Sequence, residues 1–378
     1  MRRFALAAVV FLASTLTTAS SSTASSAAID RPKIDHVIVV VLENTTAEDV
    51  LVNKKSQAPF LNSLAARGAQ LDAMYGVDHA SLPNYLAMIS GHSSTAATRA
   101  DCFVYSCVYE HGKDETVADQ MEAKGLTWKG YFDGMPTPCL HSEEGRVEKF
   151  RQGYAARHDP FLYFAAIVRN VDRCAAHVVP IQELAVDTAA ASLPNLSFIV
   201  PDTCHDGHDC PLDTADTWVK DNLAPLLDRP EIRDHGLVVV TFDEAENGDQ
   251  RGCCGNSRGG RIATWLVGAG IVPGTHSSVQ YNHFSLLRSI EDTFALPCLR
   301  HSCDALTSAY GPEIYGGIAP VVVSSEALPA KRAIWKNLLI VAFGAIVVVR
   351  LYFIVRILRQ RKARKAKEKA QGASKKTS

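Results

Sequence analysis

Four short apolar runs constrain this chain most: Val37–Leu42, Ser197–Val200, Leu237–Phe242 and Ile262–Val267. They are rich in β-branched residues and nearly continuous instead of alternating. That pattern suits strands buried on both faces, as in largely parallel sheets. Between them lie stretches that read as helices. Ala58–Arg67 has Pro59 near its start and Gly68 after its end, the expected asymmetry of helix termini. Leu82–Ser90 and Phe284–Phe294 read the same way. Strands alternating with helices predict one large α/β domain over residues 29–325, with a largely parallel central sheet and helices on both faces.

Both ends look like targeting segments and are set apart from the fold. Residues 1–28 have a charged start (Arg2, Arg3), an apolar stretch to about Leu16 and a small-residue run, the layout of a secretory signal peptide. At the other end, 334–355 is apolar except for Lys336, Asn337 and Arg350, and its length suits one transmembrane helix. The tail 356–378 then carries ten Lys or Arg and one Glu. A basic segment directly after a span belongs in the cytoplasm. The expected placement is therefore a single-pass cell-membrane protein with an extracellular catalytic domain and a cytoplasmic C-terminus. The formal net charge of −1 conceals a body (29–330) at −16 and a tail at +9. An acidic body argues against nucleic-acid binding, which needs a basic face to neutralise phosphates.

Ten cysteines, at 102, 107, 139, 174, 204, 210, 253, 254, 298 and 303, all fall in the expected exterior part. The spacings contain no Cys-x-x-Cys pair of the zinc or redox kind. Cys102/Cys107, Cys204/Cys210 and Cys298/Cys303 are close enough to close small disulfide loops. The adjacent pair Cys253 and Cys254 is expected to reach separate partners.

In an open α/β sheet, ligands bind beyond the carboxyl ends of the strands. The residues after the runs are therefore informative. Glu43-Asn44 follow the first, Pro201-Asp202 and the loop His205-Asp206-Gly207-His208-Asp209 follow the second, and Asp243-Glu244 follow the third. Three strands thus deliver carboxylates or histidines to one edge, which points to a divalent-cation site with oxygen and imidazole ligands. Ser81, within Asp78-His79-Ala80-Ser81-Leu82-Pro83-Asn84-Tyr85, falls at the expected N-cap of the helix that follows. A hydroxyl there is an ordinary cap. It is equally a nucleophile beside backbone N–H groups suited to a phosphate oxyanion.

Taken in order, HVIVVVLEN (36–44), APFLNSLA (58–65), SLPNYLAMISG (81–91), DGHD (206–209), VTFDE (240–244) and YNHFSLLRSIED (281–292) resemble the bacterial phosphoesterase family. That family holds secreted acid phosphatases and phospholipases C of the alkaline-phosphatase-like superfamily. The likeness is strongest to mycobacterial-type acid phosphatases acting on phosphoinositides. The resemblance implies an alkaline-phosphatase-like α/β/α sandwich and a covalent phosphoryl-enzyme. It places Ser81 as nucleophile, with His283 and His208 near the phosphate as candidate proton donors. Asn44, Asn84 and His79 fall to phosphate binding, and Glu43, Asn44, Asp243 and Glu244 to a divalent cation. The chain departs from the phospholipase C branch after Glu244, where Ala245-Glu246-Asn247 and Gly252-Cys253-Cys254-Gly255 replace a Gly-rich run followed by Asp-His.

The expected function is metal-dependent hydrolysis of phosphoric monoesters through a phosphoserine, acting on a phosphorylated small molecule or a phospholipid. Two alternatives stay open: a phospholipase C-type diesterase, and a catalytically silent cell-envelope binding protein. His205, His235 and His276 are expected to be structural.

Overall fold

The strands, in chain order, are β1 (His36–Leu42), β2 (Ala69–Leu71), β3 (Met74–Tyr75), β4 (Trp128–Phe132), β5 (Val178–Pro180), β6 (Leu196–Val200), β7 (Gly236–Phe242), β8 (Arg261–Ile262), β9 (Thr264–Gly268), β10 (Thr275–Ser277) and β11 (Tyr281–Asn282). They come from a computed structural model that describes residues 32–316 apart from 52–57, 111, 113 and 147–152. Eight strands form one sheet in the order β10-β2-β9-β7-β1-β6-β4-β5, and β11-β3-β8 form a small second sheet.

The large sheet is mostly parallel. β1 pairs in parallel with both β6 and β7, and β4 continues in parallel from β6 to β5. Only β9 runs against its neighbours β7 and β2. Every residue of β6 and β7, and six of the seven in β1, is buried. Full burial explains the continuous apolar runs, since each face of these strands meets core. The fourth run divides. Ile262 ends β8 in the small sheet, and Thr264 opens β9 in the large one. A single apolar stretch thus serves two sheets, a division that periodicity does not reveal.

The described helices include Pro59–Arg67, Ser81–Ser90, Leu212–Leu227 and His283–Thr293. The helix at Ser81 starts one residue earlier than expected. Ala80 takes the N-cap position with extended backbone, and Ser81 is the first helical residue, so its hydroxyl is free of capping.

Five disulfides tie the domain: Cys102–Cys107, Cys139–Cys174, Cys204–Cys210, Cys253–Cys254 and Cys298–Cys303. The three short loops are as expected. The adjacent pair is not: Cys253 and Cys254 close on each other, because Cys139 pairs with Cys174 and no cysteine is left over. Among the described residues no helix is long and apolar enough to cross a membrane. The signal segment 1–28, the apolar segment 334–355 and the tail 356–378 lie outside the described residues.

One cap in this framework is borrowed from a distant part of the chain. The helix Pro59–Arg67 has Ala58 at its N-cap and no local side-chain cap. Buried Asp216, on the helix Leu212–Leu227, instead accepts from Phe60 N at 3.1 Å and Leu61 N at 2.8 Å. Asp216→Ala leaves both amides unsatisfied and should cost about 2 kcal/mol. Urea midpoints read this loss, and an unchanged midpoint would remove Asp216 as the cap.

Candidate active site

The centre of the site is set by backbone register. Leu42 of β1 lies opposite Phe242 of β7, and beyond that pair Asp243 N donates to Leu42 O at 2.8 Å. On the other side Glu43 N donates to Asp206 O at 2.9 Å. Glu43, Asp206 and Asp243 therefore leave three adjacent parallel strands at one edge, and all three are fully buried.

Their side chains divide the space. Asp243 Oδ1 accepts from Asn44 N at 3.0 Å and Glu244 N at 2.6 Å, whereas Asp243 Oδ2 is buried with no hydrogen-bond partner. Asn44 has a left-handed backbone (φ 53°), and its Nδ2 donates to Glu43 Oε2 at 2.9 Å. Glu244 Oε2 meets His79 Nδ1 at 2.7 Å, and His79 Nε2 lies 2.6 Å from Asp249 O. The hydrogen bond to Glu244 raises the His79 pKa above its ordinary value. Burial pushes the Glu43, Asp243 and Glu244 carboxyls upward, and Glu43 and Glu244 push Asp243 further. Like charges crowded in a low dielectric disfavour ionisation unless a cation joins them. The unbonded Asp243 Oδ2 and this upward pressure suit a cation beside Glu43 and Asp243, while Glu244 turns its Oε2 to His79. Among the described residues, Glu43, His158 and Asp206 form an acidic and imidazole group at this edge whose ligand atoms fall within 4.8 Å of one another.

Ser81 is buried at the same centre, and its Oγ donates to Glu43 Oε2 at 2.9 Å. Tyr85, one helical turn on, donates its hydroxyl to Glu43 Oε1 at 2.7 Å. Both groups therefore lie on the face of one helix that meets β1. The helix N-terminus is less open to a phosphate than its sequence implies. Leu82 N donates to Asp101 Oδ1 at 3.0 Å, and Pro83 has no N–H.

Asn84, expected at the phosphate, spends its amide on the loop before Ser81. Its Oδ1 accepts from Val77 N and Asp78 N, and its Nδ2 donates to Asp78 O and Ala80 O. Gly76 starts this loop against the opposite strand end. A Cβ there would stand 2.9 Å from Asp243 O and 3.1 Å from Glu244 Cα, so only glycine fits. Loop and strand end are thereby locked together, which holds Ser81 against Glu43.

The two candidate proton donors part company. His283 is fully buried, and its Nε2 donates to the Asp243 carbonyl from behind the site. Its Nε2 supports the Asp243 backbone, and its Nδ1 is buried without a hydrogen-bond partner. His208 stands at the rim. Its Nδ1 is 2.7 Å from Asp209 Oδ1 and its Nε2 is 3.3 Å from Arg157 Nη2. Of the two, only His208 is exposed. His205 keeps a structural place, with Nδ1 at 2.8 Å from Asp133 Oδ2 and 3.0 Å from Asp202 Oδ1.

Four residues enter the site without having been singled out: Tyr85, Asp101, Arg157 and His158. Tyr85 was detectable, as it follows Ser81 by four positions on one helix. Arg157 and His158 arrive on a short 3₁₀ turn, Ala156–His158, with no apolar run or motif beside it. Only the tertiary fold brings them in.

Burial holds the His283 pKa down, from 6.5 to about 4. A depressed imidazole binds fewer protons folded than unfolded, so its contribution to stability is full above pH 6.5 and is lost as pH falls toward 4. His283→Gln keeps an N–H for the Asp243 carbonyl but cannot protonate. Relative to wild type it should gain about 3 kcal/mol between neutral pH and the lower pKa, read from urea midpoints across pH. Parallel pH curves would remove His283 as an acid-sensitive group.

A model of the Phosphoesterase family matches residues 49–297. The chain is 30% identical over 273 residues to a probable acid phosphatase of Kluyveromyces lactis, covering 71% of this chain and 60% of that protein. It is 27% identical over 286 residues to a phosphatidylinositol-3-phosphatase of Mycobacterium tuberculosis, covering 74% of this chain and 84% of that one. The match thus spans less than two thirds of the yeast protein and most of the mycobacterial one. A solved alkaline phosphatase superfamily protein from Vibrio parahaemolyticus aligns with a TM-score of 0.48 at 10% identity, covering 72% of each chain. On the extent of the family match, the chain belongs to the Phosphoesterase family.

Proposed function

We propose that this protein hydrolyses phosphoric monoesters, with Ser81 as the nucleophile and a divalent cation held by Glu43, Asn44, Asp243 and Glu244. The observation that carries this reading is the buried Ser81 hydroxyl donating to Glu43 Oε2, on the carboxylate cluster where Asp243 Oδ2 has no partner. Family membership and the names of both relatives, each a phosphatase, support the reaction class. The mostly parallel sheet with its site at the strand carboxyl ends suits an alkaline-phosphatase-like sandwich.

In this mechanism Glu43 takes the Ser81 proton as Oγ forms a bond to phosphorus, and the bond from phosphorus to the leaving alcohol breaks in line. The Arg157 guanidinium, buried beside the exposed His208, meets the phosphate oxygens. His208 protonates the leaving alcohol, and a water then displaces Ser81 from the phosphoserine, returning a proton to the protein. A bound cation would lower the serine hydroxyl pKa and offset charge on the phosphoryl oxygens. Asn84 and Gly76 act earlier, by fixing the loop that carries Ser81, and His283 by fixing the Asp243 backbone.

The substrate class proposed is a small phosphomonoester or an inositol-lipid headgroup, the latter because one relative is named for that lipid. Five disulfides support an exported domain, and the apolar segment 334–355 with its basic tail supports a membrane tether.

Ser81→Ala should fold and lose about 10³-fold or more in kcat. Acid quenching of wild type during turnover should leave phosphate on the peptide containing Ser81. Turnover of the variant within tenfold of wild type, together with an unlabelled peptide, would falsify the serine mechanism. Dialysis against EDTA should abolish hydrolysis of p-nitrophenyl phosphate, and a divalent cation should restore it. Unchanged rates in metal-free protein, verified by mass spectrometry, would overturn the metal dependence.

A further inference from the structure

Phe103 is the only exposed aromatic side chain among the described residues, at 62%, and Val104 beside it is 43% exposed. The other exposed large apolar residues among them, Val171, Val186, Val272 and Leu306, stand singly along the chain. Single apolar residues on a surface are ordinary, whereas an adjacent pair at one loop tip asks for a partner.

The loop holds this pair outward. A disulfide joins Cys102 to Cys107 across it. Behind the tip Tyr105 is buried, its N donating to Arg146 O at 2.9 Å and its O accepting from Gly145 N at 2.7 Å. The Tyr105 hydroxyl donates to Leu162 O in the interior. Before the tip, Asp101 and Cys102 both take left-handed backbone, with φ of 50° and 47°. Neither is glycine, so this turn costs energy that the disulfide and the buried Tyr105 must offset. Side chains presented on so fixed a frame lose little freedom on contact. The charges around the tip are already paired: Arg99 Nε donates to Asp78 Oδ2 at 2.6 Å, and Arg146 lies 3.8 Å from Glu143. What the loop offers is an apolar contact.

We propose that Phe103 and Val104 form a membrane-contact tip, which seats the domain on the lipid bilayer to which the chain is tethered. The inference rests on the reading of 334–355 as a tether, and not on the reaction assigned to Ser81. Seventeen residues, 317–333, separate the last described residue from that segment, a span of at most about 60 Å when fully extended. A lipid surface is thus the apolar partner that stays within reach.

Two side chains are too few to hold a protein on a bilayer, since even one acyl chain binds only marginally. The tether removes that demand by keeping the local concentration of lipid high, so the pair has only to orient the domain. The site lies close behind the tip. Asp101, two residues before Phe103, accepts from Leu82 N, and Leu82 follows Ser81. Seating the tip therefore keeps the Ser81 helix near the headgroups.

The test uses the full chain reconstituted in phosphatidylcholine vesicles and recovered by flotation. Phe103→Trp and, separately, Val104→Trp each add one fluorophore at the tip, and wild-type emission is subtracted. Both positions are exposed, and circular dichroism checks the fold of each variant. If one fails to fold, the other carries the test. In vesicles with brominated acyl chains the added emission should fall at least twofold relative to unbrominated vesicles. Added emission that bromine leaves unchanged, in protein that floats with the vesicles, overturns the tip and leaves the tether standing. Emission shielded from aqueous acrylamide yet insensitive to bromine indicates a protein partner, such as a second copy, and equally overturns the tip. Wild-type protein that does not float overturns tether and tip together. Turnover enters none of these readouts, so failure here leaves the phosphatase reading untouched.

Discussion

The structure depends on two buried carboxylates that parallel register forces together. Because β1 and β7 pair with Leu42 opposite Phe242, Glu43 and Asp243 leave the sheet side by side in its driest part. Nothing in the sheet relieves their repulsion. The nearest donors are neutral: the amides of Asn44 and Glu244, the hydroxyls of Ser81 and Tyr85. Hydrogen bonds from such groups orient a carboxylate without cancelling its charge. The strand ends thus form a site that attracts cations and repels phosphate unless a cation is bound.

Much of the remaining architecture keeps this arrangement rigid. Gly76 approaches the Asp243–Glu244 backbone, and Gly259 the backbone of Gly76 and Asp78, too closely for any side chain. Asn84 binds the intervening loop with all of its amide, and His283 presses a ring nitrogen against the Asp243 carbonyl. The small sheet of β3, β8 and β11 belongs to the same support, since β3 leads into the Gly76 loop and β11 into the helix that begins at His283. Fixed donors and acceptors around a reacting centre need no reorganisation when charge develops, which is how such shells assist catalysis.

The legible parts were those in which local pattern and tertiary role coincide. The apolar runs at Val37–Leu42, Ser197–Val200 and Leu237–Phe242 became strands because full burial on both faces imposes the same composition throughout. Their acidic followers could then be placed at one edge by topology alone. The failures have physical causes. Ala263 passes the chain between sheets inside one apolar run, where hydropathy does not change. Ser81 reads as a cap because serine is chemically suited to that task, yet Ala80 holds the position and the hydroxyl turns to Glu43. Cys253 and Cys254 could be paired only once Cys139 was known to reach Cys174. His158 and Arg157 lie on a short turn far from any motif, so only long-range folding reveals them.

A body of −16 is an unexpected host for a phosphate ester, and the charge layout resolves this. Coulomb attraction falls with distance and is screened in water, so exposed acidic residues more than about 10 Å away weigh little on a bound anion. The interior of the site is what counts, and there the carboxylates are turned inward toward one another. Ser81 donates to Glu43 of that interior, and in the proposed mechanism an arriving phosphate meets the Arg157 guanidinium, buried beside the exposed His208. The carboxylates behind it act through whatever cation they hold, so affinity for phosphate and affinity for metal become linked quantities. In the proposed mechanism the exposed His208, and not the fully buried His283, delivers the proton to the departing alcohol. The His283 ring is sealed behind Asp243 and fixes its carbonyl, whereas the exposed His208 ring lies beside Asp209 and Arg157.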